Sequence, residues 1–547
     1  FTIPLRRAMV VNTDLPYPEG VAAAEVLEVG EAARHQAGAE SREGLLAVVY
    51  GAVAAAGLAI VASTGYATAE FTKFFRLDRL GLAGGASGFD MGFSLALAGA
   101  GYLVGLSVGM AMLLGLFIAW GVAVPFLTAH PFPVPHNPFA PGAIDDYAGF
   151  IWAKQVRFIG AGAIAVASVW TLLKLIGPVV SGVISTLSAS RAANGSTGDL
   201  TDTDISPRWI GLLALACLGV IAWLLFAFLQ PTPLSGDATK LVLAAVPFVF
   251  IGGFLIAAIC GYMAGLIGAS NSPISGVGIL SIIASAGIFV LIEHPPQDAK
   301  KALVAFALFA TAIVFAIATI SNNNLQDLKT GQLVGATPRA QQWALIVGVI
   351  AGAAVIPPVL NLLAHAFGFA GAPNLHTVTA HPLAAPQATL ISALAQGVIG
   401  GNLDWRMIGI GAVVGVVLVI LDALLIRMKW LSLPPLAVGI GIYLPMSATL
   451  PVVIGAIIGH FYDVWARRTK NPEYSKRLAV LVASGMIVGE SLFGVILAGL
   501  IVAFSSDAPL ALVPADFAWM NWIGLGAFVA LIAVLYGWMM NRARAEG

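Results

Sequence analysis

The sequence predicts an all-α fold: a polytopic transmembrane helix bundle with an internal repeat, broken helices and re-entrant hairpins. Three observations predict it. Of 547 residues, 59% are hydrophobic and only 10% charged, with mean hydropathy +0.92, whereas a soluble domain carries about 25% charged residues. The apolar residues fall into runs of about twenty, the length that crosses a bilayer. Several of these runs recur in the same order in the two halves of the chain. The formal net charge is zero, so composition points to the lipid bilayer and gives no reason to expect nucleic acid. Cys217 and Cys260 each sit inside an apolar run and read as packing residues, not as a disulfide or metal site.

Residues 1–43 are amphipathic and acidic, with Glu19, Glu25, Glu28 and Glu31 on a helix after Pro18. The chain opens with FTIPLRRAMV and no initiator Met, which suggests that residues upstream are missing. Spans are expected at about 45–64, 153–176, 208–230, 240–266, 276–292, 301–320, 343–366, 405–427, 478–504 and 519–540. Two longer stretches, 91–129 and 434–463, are broken by Gly or Pro, and 387–401 is too short to cross. Residues 131–147, rich in Pro and aromatics, read as an extended loop. Residues 181–207 read as a mobile polar connection, and 321–342 as a polar loop between apolar helices. Basic clusters at Arg427/Lys429, Arg467–Lys470, Lys476/Arg477 and Arg542/Arg544 share one side if 434–463 enters and returns. The positive-inside rule then makes the C-terminus cytoplasmic.

The repeat sets SLALAGAGYLVGLS (94–107) against PLAVGIGIYLPMS (435–447), with Tyr102 over Tyr443. MAMLLGLFI (110–118) lies over LPVVIGAII (450–458), with Gly115 on Gly455. GAGAIAVASVW (160–170) lies over ASGMIVGESLF (483–493), with Gly162 on Gly485 and Ser168 on Ser491. LPYPEGVAAAEVLEVG (15–30) lies over APQATLISALAQG (385–397), with Glu19 on Gln387. The chain divides accordingly into a first repeat (1–176), central helices and loops (177–342) and a second repeat with a C-terminal helix (343–547). A duplicated bundle with broken helices is the pattern of a transporter whose site lies between the repeats.

Glu490 stands in the middle of the 478–504 span, and its repeat counterpart is Ala167. A carboxylate in mid-membrane costs a few kcal/mol, and one copy of the repeat does without it. Three readings stand: a proton-coupling acid, a Glu hydrogen-bonded across helices, or one snorkelling where the helix breaks at Gly489. Glu19 and Glu25 are the next candidates for coupling, although Glu19 after Pro18 also suits the first turn of a helix. GLIGASNSPISGVGI (265–279) offers Ser270, Asn271, Ser272 and Ser275 at an unwound point or an ordinary turn. Asp327, Lys329 and Arg339 are gate candidates, or residues of a solvated loop. GIYLPMSATLP (441–451) puts Tyr443 and Ser447 at a broken tip, as ligand contacts or packing. Ser491 and Gln387 complete the candidate substrate contacts. Ser270–Gly276, Leu444–Pro451 and a break at Gly489–Glu490 are expected to converge on one cavity. HExxH, Walker A and CxxC are absent from the sequence, so an enzyme is not expected, and no metal or cofactor is assigned.

IPLRRAMVV (3–11), LPYPEGVAAAEVLEVGE (15–31), SNSPISG (270–276), DLKTGQLVGATPRAQQ (327–342), GIYLPMSATLP (441–451) and GESLFGV (489–495) together resemble the oligopeptide transporter (OPT) superfamily. Within it they resemble the bacterial branch related to the yellow-stripe-like metal-chelate transporters. The first few helices usual in the family are missing, and the second copy has Gln387 where PYPEG has Glu19. The resemblance implies secondary active uptake of small oligopeptides, coupled to proton entry across a bacterial inner membrane, with the proton gradient as energy source and no cofactor. The alternative within transport is uptake of metal-chelate complexes of the siderophore or nicotianamine kind. A passive channel or a membrane-embedded enzyme is the alternative of another class.

Overall fold

A computed structural model describes the chain apart from residues 12, 14, 18, 22, 25–26, 28–38, 79–83, 131–143, 168, 171–172, 174–199, 268–273, 295, 370–377, 379–385, 401–404, 515–516 and 546–547. Eleven helices among the described residues are long and apolar enough to cross a membrane. The chain is an integral membrane protein of the all-α class. Its contacts divide it into two compact units, Phe1–Ala37 with Ser168–Ile356 and Gln387–Leu403, and Gly38–Ala167 with Pro357–Pro386 and Asp404–Gly547.

In the first unit, a short helix α1 (Thr2–Arg6) packs with α8 (Gly253–Ile267) and α10 (Gln297–Leu333). Helices α6 (Pro207–Leu229), α7 (Ala238–Pro247) and α9 (Ile274–Ile292) complete this part of the chain before α11 (Pro338–Ala366). Helix α12 (Pro386–Gly400) is the short apolar segment that the sequence marks as unable to cross.

The loop expected over 321–342 is a correction: α10 runs unbroken to Leu333, and α11 starts at Pro338. The polar run 321–326 stays helical because its side chains are buried against polar partners. Ser321 donates to the Ala257 carbonyl, Asn324 to Thr2 Oγ1, and Gln326 Nε2 to the Ala264 carbonyl. A buried polar group that is hydrogen-bonded carries little penalty, so the helix needs no apolar pattern there.

The described end of the 181–207 connection is anchored, not mobile. Arg6 forks onto Asp204 at 2.6 and 2.9 Å and also reaches Asp202 Oδ1 at 2.7 Å. Gln342 donates to Asp204 Oδ1 at 2.6 Å. Bidentate Arg–carboxylate geometry is the strong form of such a contact, and Arg6 is almost wholly buried.

The second unit begins with α2 (Ala39–Ser63). An antiparallel hairpin of β1 (Glu70–Arg76) and β2 (Ala86–Gly92) follows, with Thr72 opposite Asp90. Helix α3 (Leu95–Leu116) is kinked at Gly105, whose φ of 80° suits only glycine comfortably. It continues into a π-helical stretch, Phe117–Ala123, and α4 (Val124–Ala129). Helix α5 (Ile144–Ile151) starts inside the 131–147 segment that was expected to be a loop. It runs through a second π-helical turn, Trp152–Val156, as part of the span Tyr147–Ala167. Then come α13 (Trp405–Arg427), α14 (Pro435–Tyr443), α15 (Met446–Ala466), α16 (Pro472–Phe504) and α17 (Met520–Ala545).

Glycines set the close helix contacts of this unit. A Cβ on Gly115 would strike Val438, and one on Gly455 would strike Ala98. The aligned pair Gly162 and Gly485 press on Ile408 of α13 and Val48 of α2. The second arm of α3 thus packs on α14 and the first arm on α15, and aligned glycines make matching contacts. Small residues permit this approach where lipid supplies no hydrophobic drive. The expected break at Gly489 is absent. Helix α16 is continuous from Pro472 to Phe504, and Gly489 admits the backbone of Ala52 instead.

Candidate functional site

Helix α14 stops at Tyr443 because Leu444 (φ −74°, ψ 151°) and Pro445 (φ −55°, ψ 146°) are extended. Such a break frees carbonyls that need new partners inside a membrane protein. One of them, Ile442, accepts a hydrogen bond from Trp152 Nε1 at 3.2 Å. Trp152 opens its π-helical turn, and Trp120 lies in the other one. Their rings stack at 5.9 Å. Arg157 follows five residues after Trp152, a spacing that a π-turn brings onto one face. Its guanidinium sits 5.2 Å from the Trp152 ring centre and 4.4 Å from that of Tyr443. Nη2 donates to the Tyr443 hydroxyl at 2.8 Å. π-Turns concentrate at functional sites, and here two of them converge on the broken helix.

The hairpin lies against the same break. Phe74 packs on Trp120 at 6.3 Å, Ser87 donates to the Trp120 carbonyl, and a Cβ on Gly92 would meet the Ser447 carbonyl oxygen at 2.7 Å. Thr72 Oγ1 donates to Asp90 Oδ1 at 3.0 Å and lies 3.4 Å from Glu70 Oε1. Burial, and then the hydrogen bond and charge of Asp90, push the Glu70 carboxyl up to about 7. The two strands therefore hold the Glu70 and Asp90 carboxyls side by side, with the Thr72 hydroxyl between them.

Glu490 is half-buried and reaches the start of α3. Ser94 Oγ donates to its Oε1 at 2.6 Å, and the Ala96 N–H to its Oε2 at 3.0 Å. Ser94 also caps Leu97 N–H at 3.0 Å. The carboxylate thus satisfies donors that a helix start leaves over and faces its positive dipole end. In the alignment of the two halves, Ala167 stands opposite Glu490 and Pro435, which has no N–H and no hydroxyl, stands opposite Ser94. Residues 92–96 therefore join two predicted places, the 444–451 tip at Gly92 and Glu490 at Ser94 and Ala96.

In the first unit, other motif residues come together. The Tyr17 N–H donates to the Gly265 carbonyl at 2.8 Å, and its hydroxyl to the Met9 carbonyl at 2.7 Å. Gly20 N–H donates to Gln326 Oε1 at 2.7 Å, and Thr330 Oγ1 to the Gly20 carbonyl at 2.9 Å. PYPEG and DLKTG thus form one knot with the end of α8. Glu19 is partly buried at its edge. Lys329 donates to Gln332 of its own helix, Asp327 offers its backbone carbonyl to Gln341, and the Arg339 N–H donates to the Thr203 carbonyl. Among the described residues these three form no ion pair with one another. Glu25, Ser270, Asn271 and Ser272 lie outside the described residues. Ser275 and Gln387 fall on α9 and α12, with side chains outside the description. Ser491 is exposed on α16. The sequence reading missed Trp120, Trp152, Gln155 and Arg157.

A polytopic helical bundle interrupted by a broken helix is a pattern of membrane transport proteins. The model of the family described as "OPT oligopeptide transporter protein" matches residues 1–501, and the chain belongs to that family, whose members are transporters and not enzymes. It is 41% identical, over its whole length and 85% of the relative's, to a Haemophilus influenzae protein described as "Putative oligopeptide transporter". It is 21% identical, over 90% of its length and 70% of the relative's, to an iron-phytosiderophore transporter of Oryza sativa subsp. japonica. The iron-phytosiderophore transporter yellow stripe 1 of Zea mays is 23% identical over 67% of the chain and 52% of its own length. No solved structure matches the chain.

Proposed function

We propose that the chain is a secondary active transporter that carries small oligopeptides inward across a bacterial plasma membrane together with protons, its C-terminus cytoplasmic. The observation that carries the substrate class is the full-length likeness to the Haemophilus influenzae protein. The coupling rests on Glu490 at the start of α3. Ionised, it accepts from Ser94 and Ala96 and ties α16 to α3. Protonated, it loses its charge and one of its acceptor positions, and the tie weakens. A proton taken up there and released on the other side would alternate the two packings of these helices.

A second reading, uptake of metal-chelate complexes, is favoured by the likeness to the plant phytosiderophore transporters. Proteoliposomes separate the readings. Tri- to pentapeptides accumulate under an imposed inward proton gradient on the first. Only iron- or nickel-loaded chelates accumulate on the second. Flux that neither saturates nor responds to the gradient would mean a passive channel.

A further inference from the structure

Arg157 lies well inside the span Tyr147–Ala167. A guanidinium at that depth is costly and is ordinarily paired or placed on a substrate path. Among the described residues it has no carboxylate partner: its hydrogen bond goes to the neutral hydroxyl of Tyr443. Its Nε is buried without a hydrogen-bond partner among them, and the same holds for Trp120 Nε1 and for both amide atoms of Gln155. Gln155 is 1% exposed and lies in the π-turn that leads into Arg157. Native proteins seldom leave even one such atom unsatisfied. Two of these atoms lie by the broken helix: Arg157 packs on Trp152 and Tyr443, and Trp120 stacks on Trp152, which donates to the Ile442 carbonyl; Gln155 precedes Arg157 by two residues.

Their chemistry selects a ligand. The guanidinium and the Trp120 N–H only donate, so they call for an anion with two oxygens, which the planar fork of arginine fits. Gln155 Oε1 accepts, and a bare anion leaves it unanswered. A carboxylate with an amide or amine N–H close by satisfies both. The apolar, aromatic surround suits the rest of a small organic molecule. We propose that Arg157, Gln155 and Trp120, braced by Trp152 and Tyr443, form the subsite that binds the carboxylate end of the transported molecule. This inference rests on the transport reading. Its shared chemistry covers both a peptide C-terminus and a carboxylate-bearing chelate.

The test is equilibrium binding to the purified full chain in detergent, read by quenching of its tryptophan fluorescence. The probes are a tripeptide, the same tripeptide with a C-terminal amide, and an iron-loaded polycarboxylate chelate with and without esterified carboxylates. The wild type is expected to bind a free acid at least about tenfold more tightly than its neutral derivative, the scale of one charge-assisted contact. Preference in the peptide pair identifies a peptide source, and preference in the chelate pair a chelate source. Arg157→Gln should erase the preference, while Arg157→Lys should keep part of it. Equal binding of acid and neutral forms by the wild type, no binding of any probe, or an undiminished preference in Arg157→Gln overturns the proposal. The wild-type comparison needs no variant to fold. Uptake measured in parallel separates the two failures: acid preference without gradient-driven accumulation overturns the transport reading and leaves the subsite, whereas accumulation without acid preference does the reverse.

Discussion

Two charged residues lie inside membrane spans of the second unit, and they are held in opposite ways. Glu490 has its donors, Ser94 and Ala96, within 3.0 Å. Arg157 has a neutral hydroxyl, two aromatic faces and a buried nitrogen without a partner among the described residues. The first charge is partnered within the fold, because a helix start needs an acceptor. The second is not, and the missing counter-charge points to a ligand. A charge in a membrane is therefore informative about binding in proportion to what the protein leaves unanswered around it.

Removing each residue should break the comparison if it is wrong. Glu490→Leu strands a part-buried N–H and hydroxyl, each costing up to about 1–3 kcal/mol, so thermal unfolding in detergent should show a clear loss of stability. Arg157→Leu removes a hydrogen bond and two cation–π contacts but also an ion without a counter-ion, so its stability should change by no more than about 1 kcal/mol. Its cost should appear in ligand binding. A large stability loss for Arg157→Leu with none for Glu490→Leu would invert the assignment.

The neighbour of Glu490 sharpens the same point. Gly489→Val would drive a side chain into the Ala52 backbone and should cost about 1–3 kcal/mol by overpacking. Gly494→Ala, on the same helix with open space around it, should be neutral or gain up to about 1 kcal/mol from helix propensity. The same unfolding assay reads both.

The carboxyl pair on the hairpin gives a smaller, pH-dependent effect. Glu70 has a folded-state value raised to about 7 from an unfolded value near 4.3. Below the unfolded value it is protonated in both states and carries no penalty. As pH rises through the window between the two values, the unfolded chain ionises first and the folded state loses stability. Glu70→Gln removes that loss, so the variant should gain on the wild type in melting temperature between pH 5 and 8. A constant gap would mean that the pair is not coupled. Because Glu70 is only partly withdrawn from solvent, screening keeps this gain modest.

Much of this was legible in the sequence. Apolar runs locate the spans because lipid demands them, and Glu490 stands out against leucine and valine. What was missed has physical causes. Starting a span at 153 placed Arg157 near the membrane edge, where a basic side chain snorkels without comment. The helix runs from Ile144 and sets Arg157 well inside the span. The polar run 321–326 has no helical hydrophobic pattern because its buried face is polar. Strand β2, ASGFDMG, is poor in the residues that favour strands, and it forms because β1 and the break at Pro445 receive it. Helix continuity at Gly489 was misread because glycine marks both breaks and close packing, and only the neighbouring Ala52 distinguishes them.

The central claim is that Glu490 links proton binding to movement of substrate, and uptake by Glu490→Gln tests it most directly. The amide keeps an acceptor for Ser94 or Ala96 but cannot change charge. In proteoliposomes with an inward proton gradient, wild type should concentrate a tripeptide above equilibrium and lose that ability when a protonophore is added. The account predicts that Glu490→Gln still binds and exchanges the peptide but only equilibrates it, with or without the gradient. Accumulation by Glu490→Gln to the wild-type level under the same gradient would contradict it.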